Sequence, residues 1–162
     1  MAEAGDEAMT GTGLSTQPLF TLNLRVAPPQ AVGPGPLGNR FIVPILSGSF
    51  VGPQLRGVVE PNGADWVLVR PDRAMQLDVR LVLRTEQDVR IGMTYRGFRH
   101  GPAEVMSRLS RGEEADPASY YFRMAAFFEC ADERLDWLNR IVAVGTGRRS
   151  TEGPIYQVFE VL

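Results

Sequence analysis

The chain has 162 residues, 44% of them hydrophobic and 22% charged, with a formal net charge of -2. That fits one domain able to bury a core without disulfides, and it predicts no general affinity for nucleic acid, which needs a clustered basic surface. The 17 basic residues are all arginine, and Cys130 and His100 are the single cysteine and histidine. These counts exclude a lysine Schiff base with pyridoxal phosphate chemistry of the usual kind, intrachain disulfides, and zinc sites built from Cys and His ligands.

Residues 1–17 carry Glu3, Asp6 and Glu7 without a basic residue and then turn rich in Gly, Ser and Thr. They read as a disordered tail and do not resemble a signal peptide. No stretch approaches the ~18 apolar residues of a membrane helix, so the chain is read as soluble and cytoplasmic. From 19 to 26, Phe20, Leu22, Leu24 and Val26 alternate with polar residues, which predicts a half-buried strand. Residues 27–38 hold four prolines and three glycines and read as a loop that cannot continue a sheet. Residues 40–46 form a second predicted strand, in which Pro44 signals an edge or a bulge. Residues 48–53 have turn composition, 55–60 make a short strand, and 61–64 supply a turn of the kind that joins hairpins.

Strands follow at 65–70, 75–85 and 89–98. The second places Leu77, Val79, Leu81 and Leu83 on one face, and the third groups Ile91, Met93 and Tyr95. Residues 100–117 break the rhythm: Pro102 suits a helix start, Val105, Met106 and Leu109 share a helical face, and Gly112 is a natural stop. A long connection of this kind is often a lid or a binding loop. Residues 119–130 form an apolar strand in which Tyr121, Arg123, Ala125, Phe127 and Glu129 share one face, so that face either lines a pocket or seals an ion pair. A short helix over 133–140, capped by Asp132, and strands at 141–145 and 154–162 complete the chain.

About nine strands with short turns and one or two short helices predict an all-β fold, a small antiparallel up-and-down β-barrel spanning residues 18–162 as a single domain. A sandwich is the other architecture open to this spacing. Several strands carry apolar residues on one face and a mixed polar and aromatic set on the other, and a barrel accommodates that set in its lumen or on its outer surface. Gly38-Asn-Arg40, Ile42-Val-Pro44, Gly52-Pro53, Gly57, Asp65-Trp66, Leu77-Asp78, Gly97, Tyr121-Phe-Arg123 and Trp137-Leu-Asn139 stand in an order and spacing that resembles the bacterial and fungal family known as domain of unknown function 3237. The resemblance runs from about residue 19 to the C-terminus. It implies a small antiparallel barrel, often dimeric, and leaves activity open.

Asp78 stands mid-strand among apolar and arginine positions. In a lumen it would be a general acid or base, its pKa tuned by burial and nearby arginine; otherwise it is a structural ion pair with Arg80, Arg40 or Arg123. Tyr95 is either a hydrogen-bond donor to a ligand or a core aromatic. The Arg123 guanidinium suits a carboxylate, enolate or phenolate, with a structural pairing to Glu129 or Asp78 as the alternative. Glu129 is a further catalytic candidate and the likelier structural partner. Tyr121, Arg40 and Trp66 complete a ligand-binding set, against surface or core roles. Asp65 reads as a strand-start cap, His100 as a solvated loop residue, and Cys130 as a small hydrophobe.

Phosphate-binding glycine motifs and the Gly-x-Ser-x-Gly elbow are absent, and no metal spacing stands out. The expectation is a cofactor-independent enzyme performing proton transfer, isomerisation, elimination or cyclisation on a small, partly apolar metabolite in the barrel. The alternatives are a non-catalytic ligand-binding barrel or a structural protein. The expected partner is a small-molecule ligand, with no cofactor, metal, nucleic acid or membrane, in a homodimer.

Overall fold

Alternation of apolar and polar side chains runs through ten strands in residues 13–162, the part of the chain described by the computed structural model. They are β1 (Thr16–Val26), β2 (Gln30–Gly35), β3 (Gly38–Val51), β4 (Arg56–Val59), β5 (Ala64–Val69), β6 (Met75–Thr85), β7 (Arg90–His100), β8 (Tyr121–Cys130), β9 (Ala143–Arg149) and β10 (Pro154–Val161). The helix α1 (Ala103–Ser110) lies between β7 and β8, and a kinked 3₁₀ segment, Glu133–Arg140, lies between β8 and β9. Positions 1–12 of the expected tail lie outside the described residues. Thr16 and Gln17 already pair with Val161 and Glu160, so the sheet begins before residue 18.

Every strand pairs antiparallel with its neighbours, and β1 closes the sheet by pairing with both β3 and β10. The ten strands make eight staves of a closed up-and-down barrel. β1 and β2 follow one another along β3, covering Ile45–Val51 and Gly38–Ile42 of that strand in turn. β4 and β5 likewise follow one another between β3 and β6. Three sequence expectations are corrected by this arrangement. The proline-rich 27–38 segment does return to the sheet, because Pro28 and Pro29 fall in the gap between β1 and β2, where the ladder needs no donor from them. The Pro61-Asn-Gly segment is a break within one stave and not a hairpin turn. Residues 48–51 are strand, paired with β1 and β4. Pro44 sits in β3 near a register shift between the Arg25–Ser47 and Val26–Ile45 pairs, and its carbonyl accepts from the Ala27 N–H at 2.9 Å. The expected bulge is therefore present.

Closure gives each strand one lumen face. Leu77, Val79, Leu81 and Leu83 of β6, and Ile91, Met93 and Tyr95 of β7, are buried, as their shared period predicts. One end of the barrel is filled. Phe20 meets Phe50 and Phe128 edge-on at centroid distances of 5.5 and 6.0 Å, the T-shaped geometry that aromatic quadrupoles favour. Along the barrel, large inward residues of β8 oppose small ones of β9. A Cβ on Gly147 would stand 2.8 Å from the Phe122 ring, so only glycine admits that ring here.

The Glu133–Arg140 segment sits beside the filled end and buries Leu138 completely. Its next residue acts as a substitute strand: the Cys130 N–H donates to Asn139 Oδ1 at 2.7 Å, and Asn139 Nδ2 donates to the Cys130 carbonyl at 2.8 Å. The side-chain amide thus satisfies both backbone groups at the end of β8. Asn139→Ala is expected to destabilise the fold by about 2–3 kcal/mol, since it removes two hydrogen bonds and leaves two partly buried backbone groups without a protein partner. Chemical denaturation checks this through a lowered midpoint at an unchanged m-value.

Candidate functional site

The structure divides the expected site residues between two faces. Burial along β8 alternates strictly, with Phe122, Met124, Ala126, Phe128 and Cys130 buried and the residues between them exposed. Tyr121, Arg123 and Glu129 therefore lie on the outer face. Arg123 Nη1 donates to the Phe122 carbonyl at 2.9 Å and its guanidinium lies 5.3 Å from the Tyr121 ring centre, so it forms no pair with Glu129. Asp78 has the parity opposite to the buried face of β6 and sits outside, 3.6 Å from exposed Arg96. Trp66 is half exposed, and Arg40 donates to the Trp66 carbonyl at 2.8 Å. His100 stacks on Tyr121 at the outer rim. Of the expected set only Tyr95 reaches the lumen, and the predicted convergence of Asp78, Arg123 and Glu129 on one pocket face is corrected. The physical reason is that the apolar side of each strand, not its mixed side, faces inward.

The end of the barrel opposite Leu138 holds a cavity of about 620 Å³, within the range of small-molecule sites. Its wall is largely apolar, with Leu24, Val43, Val67 and Leu77 among its residues, and Met106 and Leu109 of α1 contribute to it. The long connection thus supplies part of the cavity lining. Into this apolar space project Asp65 from β5, Tyr95 and Arg99 from β7, Arg149 from β9 and Tyr156 from β10.

Asp65 is not a cap of its own strand. Its Oδ1 accepts the Asp78 backbone N–H at 3.0 Å, a bond across to β6. Burial pushes its carboxyl up to about 6, against the lowering effects of the Asp78 N–H and of the Arg99 charge. Tyr95 and Tyr156 meet edge-on at 5.2 Å, and Phe122 meets Tyr156 at the same centroid distance. Burial raises the Tyr95 phenol well above its ordinary value, helped by the charges of Tyr156 and Asp65; burial and Asp65 raise Tyr156 also. Both hydroxyls therefore stay protonated at neutral pH. Arg99 donates through Nη2 to the Met75 sulfur at 2.9 Å, with its guanidinium 5.5 Å from the Phe122 ring centre.

Asp65, Arg99, Arg149 and Tyr156 are the residues that sequence reasoning ranked low or passed over. Arg99 was within reach, because Tyr95, Gly97 and Arg99 continue the period of two that groups Ile91, Met93 and Tyr95. For Asp65 the signal was weak: β5 is short and carries apolar residues on both faces. Among the described residues no three His, Cys, Asp or Glu side chains are grouped to hold a metal, and no helix is long and apolar enough to cross a membrane.

An up-and-down barrel of eight staves, filled at one end and holding a carboxylate, two phenols and two guanidinia at the other, is the class of protein that this geometry defines. The chain belongs to the family described as "Protein of unknown function (DUF3237)", whose model matches residues 14–161. A UPF0311 protein of Rhodopseudomonas palustris is 33% identical over 154 residues, covering 95% of this chain and 100% of the relative. A crystal structure of a conserved protein of unknown function from the same species superposes with a TM-score of 0.88 at 32% identity, over 94% of this chain and 99% of that one. A β-barrel like protein from Acinetobacter baumannii gives 0.82 at 33% identity, over 95% and 99%. A structure described as an enzyme from Penicillium herquei gives 0.72 over 94% and 97%, and at 18% identity the likeness is one of fold alone.

A carboxyl whose pKa is raised by folding stabilises the fold while it is protonated. That contribution is complete below the ordinary value of 3.8 and is lost as the pH rises through about 6. Asn keeps the acceptor for the Asp78 N–H and never ionises. Asp65→Asn is therefore expected to match wild type near pH 3.5 and to be more stable by about 2–3 kcal/mol at pH 8. Thermal unfolding at the two pH values checks this. An equal Tm for the two proteins at pH 8 removes the buried carboxylate as a cost.

Proposed function

We propose that the protein is a cofactor-independent enzyme that moves a proton on a small, partly apolar metabolite held in the lumen, the class of step that underlies isomerisation, elimination and cyclisation. The observation that carries this reading is Asp65, a carboxyl inside an apolar cavity whose pKa stands at about 6, sharing that cavity with two phenols that stay protonated. A base poised near neutrality takes a proton effectively and returns it. In an isomerisation, the Asp65 carboxylate takes a proton from carbon next to a carbonyl, and the electron pair moves to the carbonyl oxygen as an enolate. In this reading the Tyr95–Tyr156 pair donates a hydrogen bond to that oxygen, a use of fixed donors that is strongest where water is excluded. Where a double bond is conjugated with that enolate, Asp65 returns the proton to its far carbon, so the double bond shifts and the carboxylate is regenerated.

Asp65 replaces Asp78 and Glu129 as the proposed base because both of those lie on the outer face. Tyr95 keeps its proposed catalytic place. The fold is compatible with catalysis, since one protein sharing it is described as an enzyme. A ligand-binding barrel is the second reading, favoured by the largely apolar cavity wall; native mass spectrometry that recovers an unaltered ligand, with no turnover, selects it. The homodimer that the family resemblance implies stays part of the proposal, and the exposed apolar side chains of Trp66 (50%) and Phe127 (54%) support it. A monomer at micromolar concentration in sedimentation removes it.

On the metabolites of neighbouring genes, Asp65→Asn is expected to lower kcat/KM by at least a thousandfold. The wild-type kcat/KM should climb about tenfold per pH unit up to about 6 and level off above it, because the free enzyme's base must be ionised. Turnover by Asp65→Asn at the wild-type rate sinks the assignment.

A further inference from the structure

Arg99 and Arg149 face a cavity that offers them few partners of their own. Neither has a carboxylate within salt-bridge distance among the described residues, although nine such bridges form elsewhere. The Arg99 Nε–H is the one fully buried side-chain polar atom among the described residues that lacks a hydrogen-bond partner. Its Nη2 is spent on a thioether, a weak acceptor. Only the Arg149 backbone N–H is engaged, donating to the Tyr120 hydroxyl at 2.9 Å, and none of the side-chain hydrogen bonds involves its guanidinium. Burial lowers the proton affinity of both arginines, and the Arg149 charge lowers that of Arg99 further, against the raising effects of Tyr156 and Tyr120 on both. Arg73 adds a third guanidinium to the cavity lining, on a turn residue held at a φ of 70°. Proteins retain unpartnered buried donors where something else completes them.

We propose that the lumen binds a monoanionic substrate, a small apolar carboxylic acid whose carboxylate lies against the Arg99 and Arg149 guanidinia beneath α1. The planar guanidinium fork matches a carboxylate's two oxygens, and the bond is charge-assisted. The count of charges sets the anion's valence. Arg99 and Arg149 against ionised Asp65 leave one positive charge, which a monoanion neutralises and a phosphate dianion would overshoot; Arg73 is exposed, so solvent screens its charge. The apolar wall from Leu24 to Leu77 takes the remainder of the molecule. This substrate class rests on the lumen being the working site, and it extends the proposed function by naming what positions the metabolite there.

The probe pair is 2-naphthoate and its neutral isostere 2-naphthamide, titrated calorimetrically into the full chain at pH 7.5. Wild type is expected to bind the acid at least tenfold more tightly than the amide. Arg99→Gln and Arg149→Gln should each weaken naphthoate binding at least tenfold while changing naphthamide binding less than twofold; Arg99→Lys, which keeps the charge and loses the fork, should fall between. Equal affinities of wild type for the two probes, or binding of neither at millimolar concentration, overturn the proposal without reference to any variant's folding. Asp65→Asn separates this inference from the catalytic one: it should bind naphthoate at least as tightly as wild type while lacking turnover. Undiminished turnover in that variant, with the acid still preferred, removes the base and leaves the anion site standing.

Discussion

The pairing of β1 with both β3 and β10 is the constraint from which the rest follows. An open sheet of this composition would have two faces of equal standing; closure makes one of them a lumen and assigns every strand residue to it or to solvent. Eight staves enclose a space that ordinary side chains just fill. Whether any room remains is then decided by residue size, level by level. Phe20, Phe50 and Phe128 fill one end, and Leu138 backs it from outside the sheet. At the other end aliphatic residues such as Val43, Val67 and Leu77 share the wall with Phe41, Phe122 and the two tyrosines, and the unfilled volume is the cavity.

Charged groups in such a space are stabilised only in part by the protein. Asp65 has one backbone N–H, and Arg99 has a sulfur and the face of Phe122. Outside, by contrast, arginines and carboxylates pair freely: Glu60 takes both Arg84 and Arg90, and Asp132 takes Arg134. Exposed pairs of this kind contribute little to stability, whereas the incomplete partnering within the lumen costs free energy that the hydrogen-bonded wall must offset. Stability and the proposed chemistry pull in opposite directions at Asp65, since the proposal needs the ionised carboxylate that burial disfavours.

A small antiparallel barrel was legible from alternation and turn spacing, as about nine strands where ten make eight staves, and the residues that group by period on β6 and β7 do share a face. What alternation does not state is which face becomes the inside. The mixed face was expected to form the pocket, and that choice carried Asp78, Arg123 and Glu129 into the lumen in expectation. The apolar face is the one that water rejects, so closure turns it inward and carries the mixed face out. Tyr95 was placed correctly because it shares parity with Ile91 and Met93. Local composition misled at 27–38 and 61–64, since proline and glycine report only that a ladder bond is missing, and a long stave can lose one and resume. Asp65 was illegible for a different reason: its raised pKa comes from the walls opposite it, and those are brought together only by closure.

The groups that meet in the cavity come from β5, β7, β9 and β10, so no one segment of chain holds the site, and the wall that carries them is fixed by ladder bonds on both sides. The connection that carries α1 is held differently. Met106 and Leu109 reach the cavity from a helix bounded by Gly101 and by Gly112, which lies at a φ of 79°. α1 pairs with no strand, and its contacts with the barrel are side-chain contacts alone. Displacing α1 would break apolar contacts and leave the ladder intact, whereas parting two staves would break ladder bonds. A wall fixed by ladder bonds carrying the charges, with a helix beside them that is held by side chains, is an arrangement compatible with the proposed lumen reaction.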